Sequence, residues 1–472
     1  MKEFIVCSLF FLLLSCNNND TLFVTLPSNR TQIKFQNNLT STADLNILNY
    51  LYYYNGAGVS AADFNNDGLA DLYFTGNQTE DKLFLNLGEL KFKDVTSEAH
   101  INNTLPWTTG VTTVDINNDG FLDIYICKVG AHNSIKGKNL LYVNQGLDNN
   151  GVPRFKEDAS NYGLDIVSYA TQAVFFDYDK DGDLDLFLMN HSLYPNSNYG
   201  KGASRGQVDQ KSGDKLLENK QGRFVEVSSE VGIFQGKIGY GLGLSIGDVT
   251  NDGYPDIYVG NDFFENDYLY VNQKNKTFSE VISRDKTTLG HTSHYSMGNA
   301  ISDLNNDAQM DIISLDMLPE NLKTYKTSGL EFPYQTYQYY LKNGYAPQFM
   351  QNTLHFNNGN KTFSETAHLS GIAATEWSWS PIVGDYDNDG FKDLYITNGI
   401  LGATNDMDYI NFISNEAIQK QLATEKSQRN LELSKQIPQK KVKNYFYRNN
   451  NDKTFSNVTP TWVSHDNSYS NG

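Results

Sequence analysis

The stretch Asp177-Tyr-Asp179-Lys-Asp181-Gly182-Asp-Leu-Asp185 decides the architecture, because it returns five more times. The other copies are Asp63-Phe-Asn65-Asn-Asp67-Gly68-Leu-Ala-Asp71, Asp115-Ile-Asn117-Asn-Asp119-Gly120-Phe-Leu-Asp123, Asp248-Val-Thr250-Asn-Asp252-Gly253-Tyr-Pro-Asp256, Asp303-Leu-Asn305-Asn-Asp307-Ala308-Gln-Met-Asp311 and Asp385-Tyr-Asp387-Asn-Asp389-Gly390-Phe-Lys-Asp393. Oxygen side chains occupy loop positions one, three, five and nine, and glycine stands at six in five of the six copies. Hard oxygens at alternate positions suit Ca²⁺, and glycine at six permits the turn that wraps an ion. The carbonyl at seven (Leu69, Phe121, Asp183, Tyr254, Gln309, Phe391) would complete the shell. No His or Cys recurs in the phrase, which disfavours zinc. A single Asp/Asn/Gly phrase would read as a plain hairpin turn. Six with the same ligand slots predict about six Ca²⁺ ions, the fifth site being weakest because Ala308 replaces glycine.

An EF-hand is excluded by position twelve, which holds Phe74, Ile126, Leu188, Val259, Ser314 and Ile396 where a bidentate Glu is required. The residues after each loop alternate as strands do, as in Asp123-Ile-Tyr-Ile-Cys127. A second phrase follows, with copies such as Leu140-Leu-Tyr-Val-Asn144 with Arg154-Phe155, and Tyr268-Leu-Tyr-Val-Asn272 with Thr277-Phe278. Each unit therefore reads strand A, calcium loop, strand B, strand C, turn, strand D, the composition of a β-propeller blade. The expected fold is all-β: six nearly complete four-stranded blades plus parts of a seventh, with a helical insertion in blade six. Thr31–Asn38 is expected as an outer strand, and the propeller is expected to span 31–472 and to break off within the seventh blade.

The chain has 472 residues, 55 Asp+Glu against 37 Lys+Arg, and a formal net charge of −18. That balance argues against nucleic acid as a partner. With 39% hydrophobic and 19% charged residues the chain is not of the disordered class. Twenty aspartates fill the ligand slots, so six Ca²⁺ would add twelve positive charges and take −18 to −6. The acidity is thus largely a ligand set.

Residues 1–16 read as an export signal: Lys2, then an apolar run Phe4–Leu14 too short to span a bilayer. Leu13-Leu14-Ser15-Cys16 resembles a bacterial lipobox, which implies lipid on Cys16 and a tether over 17–30. Cys7 would leave with the signal, so Cys127 alone remains and no internal disulfide is expected.

The repeats resemble the FG-GAP/VCBS calcium-binding propellers, the class seen in integrin α-subunits. More narrowly, Tyr54-Asn-Gly-Ala-Gly-Val-Ser60, His291-Thr-Ser-His-Tyr-Ser-Met-Gly298, Leu315-Asp-Met-Leu-Pro-Glu320 and Glu376-Trp-Ser-Trp-Ser380 resemble the VCBS-repeat lipoproteins of Bacteroidetes-type bacteria. That group is related to the ASPIC/UnbV and cartilage-acidic-protein group. The resemblance implies an exported protein, lipid-anchored to the bacterial cell envelope at the outer membrane, with contact to membrane through the lipid alone.

In an up-and-down blade the A–B loops share one face and the B–C connections the other. The long insertions Asn190–Asp214, Asp316–Gln351 and Asn398–Asn444 all follow strand B, so they are expected opposite the metal loops, where a rigid scaffold presents binding residues. Trp107, Tyr169, Tyr240, Tyr295 and Trp377 stand eight residues before the first aspartate, and Tyr54 nine before. They predict an aromatic ring at the channel mouth, fit to stack on sugar or peptide; packing between blades is the competing reading. Tyr334, Tyr337, Tyr339, Tyr340 and Tyr345 lie in an insertion expected to serve recognition as an adaptable loop. Met407–Gln436 reads as helical. His291 and His294 are the one close histidine pair, weighed as zinc ligands against a hydrogen-bonded loop pair. No catalytic motif is present. The expected function is a calcium-stabilised, lipid-anchored cell-envelope binding protein for a glycan, peptide or protein partner, including a nutrient-uptake system. The alternative is a polysaccharide-degrading lyase or hydrolase on the same scaffold.

Overall fold

The computed structural model describes residues 21–471 apart from 104–105, 131, 194–200, 286, 330–332, 416–417, 419, 421, 423–424 and 465–466. The signal segment and Cys16 lie outside the described residues.

Six four-stranded antiparallel sheets follow one another along the chain. Blade one is β1 (Val59–Ala62), β2 (Asp71–Phe74), β3 (Lys82–Asn86) and β4 (Phe92–Asp94). Blade two is β5 (Thr108–Val114), β6 (Asp123–Lys128), β7 (Leu140–Leu147) and β8 (Pro153–Glu157). Blade three is β9 (Ala170–Phe176), β10 (Asp185–Asn190), β11 (Lys215–Asn219) and β12 (Phe224–Glu226). Blade four is β13 (Gly241–Gly247), β14 (Asp256–Asn261), β15 (Tyr268–Asn272) and β16 (Phe278–Glu280). In the fifth unit β17 (Thr292–Ser293) pairs in parallel with β20 (Gln348–Phe349), and the blade itself is β18 (Asn299–Ser302), β19 (Asp311–Ser314), β21 (Thr353–Asn357) and β22 (Phe363–Glu365). Blade six is β23 (Ser378–Gly384), β24 (Asp393–Asn398), β25 (Tyr445–Asn449) and β26 (Phe455–Asn457).

The cores lie between blades, which explains why the B strands are hydrophobic on both faces. Side chains alternate across a strand. In β6, Ile124 and Ile126 pack with Tyr73 and Leu83 of blade one, while Tyr125 and Cys127 pack with Leu186 and Leu188 of blade three. The same arrangement joins blades three and four, four and five, and five and six. Inner strands lie side by side from β1 through β5, β9, β13 and β18 to β23. Glycine permits that approach: a Cβ on Gly110 would sit 2.5 Å from the Thr171 carbonyl oxygen, and one on Gly298 2.3 Å from that of Trp379.

Thr31–Asn38 differs from the expectation. Ser28–Thr31 is one helical turn, and the following residues form no strand. A strand needs a partner ladder, and this segment instead spends its polar groups on a loop: the Asn77 amide donates to Asn37 Oδ1 at 2.9 Å. Phe35 stacks on Phe74 of blade one at 5.1 Å, and Phe23 on Phe446 of blade six at 4.8 Å. Within the Met407–Gln436 expectation the described residues include the short helices Met407–Ser414 and Lys426–Ser434.

Candidate metal loops and ligand face

All six A–B loops share one hydrogen-bond plan. The first aspartate accepts from the amides at positions five and six: Asp115 Oδ1 from Asp119 N at 3.0 Å, and Oδ2 from Gly120 N at 2.9 Å. The fifth accepts from the amide at seven, as Asp119 does from Phe121 at 2.9 Å. Position four is left-handed (Asn66, Asn118, Lys180, Asn251, Asn306, Asn388), and so is position six. Glycine meets the second demand at no steric cost; Ala308, at φ 64°, does not. Ala308→Gly should therefore raise stability by about 0.5–1 kcal/mol, the relief of left-handed alanine less the added freedom of the unfolded chain. A urea melt of the variant measures it, and an unchanged midpoint would show that the loop relaxes around alanine.

The ninth residue behaves differently. Asp71, Asp123, Asp185, Asp256, Asp311 and Asp393 are buried. Asp123 Oδ2 accepts from Ile116 N at 2.9 Å and Oδ1 from Asn144 N at 2.7 Å, and the other five make the matching pair of bonds. Burial lifts Asp71, Asp123 and Asp311 to about 6, and Asp185 and Asp256 to about 7; Asp393 also rises. Like charge from loop neighbours adds to each.

The donor set fits a hard cation. In loop three Asp177, Asp179 and Asp185, and in loop six Asp385, Asp387 and Asp393, each bring one oxygen to within 4.8 Å of the others. Asp387 Oδ1 is buried without a hydrogen-bond partner among the described residues. Side chains also compete for these carboxylates. Lys276 pairs with Asp179, and Arg448 Nε lies 2.7 Å from Asp387. The remaining ligand slots are Asp63, Asn65 and Asp67; Asn117; Asp181; Asp248, Thr250 and Asp252; Asp303, Asn305 and Asp307; and Asp389. They sit in the same loop positions of their blades; Asp67, Asn117, Asp181, Asp307 and Asp389 are exposed and the others half-buried.

Two repeated polar devices escaped the sequence reading. In four blades the asparagine ending strand C reaches into the preceding blade's A–B loop. Asn144 Nδ2 donates to the Phe64 carbonyl at 3.0 Å, Asn272 to Tyr178 at 2.8 Å, Asn357 to Val249 at 2.8 Å and Asn449 to Leu304 at 2.7 Å. At the opposite end, the residue before strand C accepts from the amide closing strand B. Asp81, Asn139, Asp214, Asp267, Asn352 and Asn444 take it from Gly76, Lys128, Asn190, Asn261, Asp316 and Asn398 at 2.8–2.9 Å. That bond closes the base of every B–C connection, so an insertion of any length leaves the ladder below undisturbed. The signal was present, since Asn ends strand C in all six copies.

The expected aromatic ring is assembled and then covered. Trp107, Tyr169, Tyr240, Tyr295 and Trp377 are buried, and Tyr54 is half-buried. Leu45, Ile47, Tyr50, Tyr52 and Tyr53, from the segment preceding blade one, pack into the mouth over Trp107, Tyr169 and Tyr240. Trp107 meets Tyr50 and Tyr53 at 5.3 Å each. Most of these rings are thus packed against the segment preceding blade one.

The accessible aromatics lie on the blade-five insertion. Tyr334–Lys342 is a helix, not an adaptable loop. With Tyr325 and Phe349 it walls a cleft of about 480 Å³, into which Tyr334, Tyr337 and Tyr340 line up. Tyr334 is 71% exposed and Phe349 47%. Tyr337 faces Phe349 at 5.8 Å, and Tyr340 stacks on Phe264 at 4.6 Å. Tyr345 is buried beneath, against Tyr340 at 5.6 Å. The histidine pair is divided: His294 Nδ1 meets Gln348 Oε1 at 2.9 Å on the cleft floor, and burial lowers it to about 4. His291 Nε2 lies 3.7 Å from Glu365 Oε2. Among the described residues no helix is long and apolar enough to cross a membrane.

A family model described as FG-GAP-like repeat matches residues 63–126, 248–314 and 345–396. Human cartilage acidic protein 1 is 29% identical over 136 residues, a match spanning 28% of this chain and a fifth of that protein's length. Among solved structures, an Agrocybe aegerita lectin described for recognition of non-reducing terminal N-acetylglucosamine aligns at 14% identity and TM-score 0.42, over 86% of this chain and 82% of its own. The rhamnogalacturonan lyase YesW aligns at 12% identity and TM-score 0.34, over 75% and 57%.

Proposed function

We propose that the chain is a calcium-stabilised binding protein, held at the cell envelope by lipid on Cys16, that takes a glycan, peptide or protein partner on the face opposite the metal loops. The observation that carries this reading is the tyrosine cleft. It is large enough for a sugar or a short peptide segment, Tyr334 and Phe349 are exposed and Tyr337 half-buried on walls held by the stacking of buried Tyr340 on Phe264, and burial keeps its floor histidine low in pKa. Flat rings on a rigid support bury ligand area at little conformational cost. The metal loops stiffen one face of each blade, and the closed B–C bases let the other face vary.

Screening the calcium-loaded chain on glycan and peptide arrays, with turnover assayed on every hit, tests this. Tyr337→Ala should weaken a hit by about tenfold, roughly the loss of one well-stacked ring, and leave the melt unchanged. Cleavage of the bound glycan, or binding indifferent to Tyr337→Ala and Tyr334→Ala, would overturn the reading.

A further inference from the structure

A second cavity, of about 240 Å³, lies on the same face where blades four, five and six meet the segment preceding blade one. Its walls include Tyr52, Phe263, Tyr295, Trp377 and Trp379 with two methionines, and among the described residues no lysine or arginine lines it. One carboxyl, Asp262, stands among these rings, and it is 6% exposed.

Asp262 differs from the buried carboxyls around it. Asp267 accepts from Tyr258 Oη, Ser296 Oγ and the Asn261 amide, and Asp316 from Ser293 Oγ and three amides. Those groups are spent on holding the fold. Asp262 accepts one bond among the described residues, from the Phe263 amide to Oδ1 at 2.7 Å, and Oδ2 accepts none. A buried carboxylate without a partner is costly unless something charged meets it. Burial, with the charge of Asp316 adding, lifts Asp262 to about 8. Phe263 is held at φ 62°, a left-handed conformation that a bulky residue seldom adopts, and its ring meets Tyr295 at 6.4 Å.

We propose that this cavity binds a monovalent organic cation, an ammonium group on a small apolar body, with Asp262 as counter-charge and the faces of Trp377, Trp379 and Phe263 around it. The ring faces carry the negative end of the aromatic quadrupole, and a desolvated cation over them gains most from tryptophan. The carboxyl, held mostly protonated by burial at neutral pH, releases its proton to solvent as the cation enters and supplies the charge that the rings alone lack, and the overall acidity of the chain favours entry of cations over anions. The site is separate from the tyrosine cleft and does not depend on the function assigned to it.

Two of the four tryptophans line the cavity, so tryptophan fluorescence reports on it. The calcium-loaded full chain is titrated with tetramethylammonium chloride and with butylammonium chloride, against sodium chloride at equal ionic strength and against methyl glucoside. We expect a saturable change with an ammonium salt alone, weakened about tenfold or more in Asp262→Asn. The Asp262→Asn melt should be unchanged or raised, since an unpaired buried carboxyl is removed. Should Asp262→Asn fail to fold, Trp377→Phe decides, with a several-fold weakening expected. No saturation with either cation, equal affinity in the variant, or saturation by methyl glucoside instead would overturn the proposal.

Discussion

Replacing Asp123 by alanine should cost about 3–5 kcal/mol, enough to unfold much of the population of a marginally stable chain. Asp123 is fully buried, and its two oxygens satisfy two buried backbone amides, Ile116 at 2.9 Å and Asn144 at 2.7 Å. Removing the carboxyl leaves both donors unpaired in a site that water does not reach, and each such orphan costs about 1–3 kcal/mol. Asn144 is also the residue whose side chain clamps the Phe64 carbonyl of blade one. Loosening its backbone therefore loosens the join between two blades. Asp123→Asn should be nearly as harmful, because the amide offers one acceptor where two are needed and turns an N–H toward an N–H. Asp119→Ala, in the exposed part of the same loop, should cost about 1–2 kcal/mol in chelator, the loss of two exposed hydrogen bonds, from the Phe121 amide and from Asn117 Nδ2. Urea melts of the three variants with chelator present separate the latch role from metal binding. A loss below 1 kcal/mol for Asp123→Ala would mean that water or a neighbour replaces the carboxylate.

Chelation should lower the melting temperature by about 10 °C or more. Each Ca²⁺ site held at about 100 times its Kd adds about 2.7 kcal/mol to the folded state, so two such sites already rival the stability of an ordinary domain. The proposed loops concentrate like charge. Loop three carries Asp177, Asp179, Asp181 and Asp185 within nine residues, with Asp183 besides. Without a cation that charge is met only in part, by Lys276 in loop three and Arg448 in loop six. The chelated protein should also respond to pH in a definite direction. The ninth-position carboxyls are raised to about 6–7, above the ordinary aspartate value, so the folded chain holds protons that the unfolded chain has lost. Its stability accordingly falls as pH rises from about 4 to about 7. Calcium displaces those protons and should reverse the trend. Magnesium should restore little, because it demands a tighter octahedral shell than these loops offer. A melt indifferent to chelator would remove calcium from the account, and the loops would then stand as Asx-type turns.

Much of this molecule is legible along the chain because its information is local and repeated. Each nine-residue loop carries its own ligand spacing and turn chemistry, and each strand its own alternation, so six copies identified the blades and their strand order. The position-nine aspartates are legible as a repeated position, yet their hydrogen bonds to strand C are not. Accepting from Asn144, Asn219 or Asn272 requires knowing that strand C runs beside strand B. An asparagine ends strand C in every copy, but the role of Asn144, Asn272, Asn357 and Asn449 is not legible for the same reason, since these four reach a partner in the preceding blade.

The insertion face shows the opposite case. Tyr54, Trp107, Tyr169, Tyr240, Tyr295 and Trp377 recur at nearly one repeat position, and they gather in two neighbouring hydrophobic clusters. Whether such a ring meets solvent depends on what else packs there. Residues 45–53 cover much of it, and nothing in their composition distinguishes a plug from a loop. The tyrosines of the blade-five insertion became a wall because Tyr334–Lys342 is helical and Phe264 stacks beneath it. Asp262 had no motif at all; its character comes from rings contributed by three blades and a preceding segment. Repeat chemistry, set by neighbours within nine residues, can be read from order alone. Burial, and with it the charge state and accessibility of a side chain, is set by contacts hundreds of residues apart and exists only in the assembled ring.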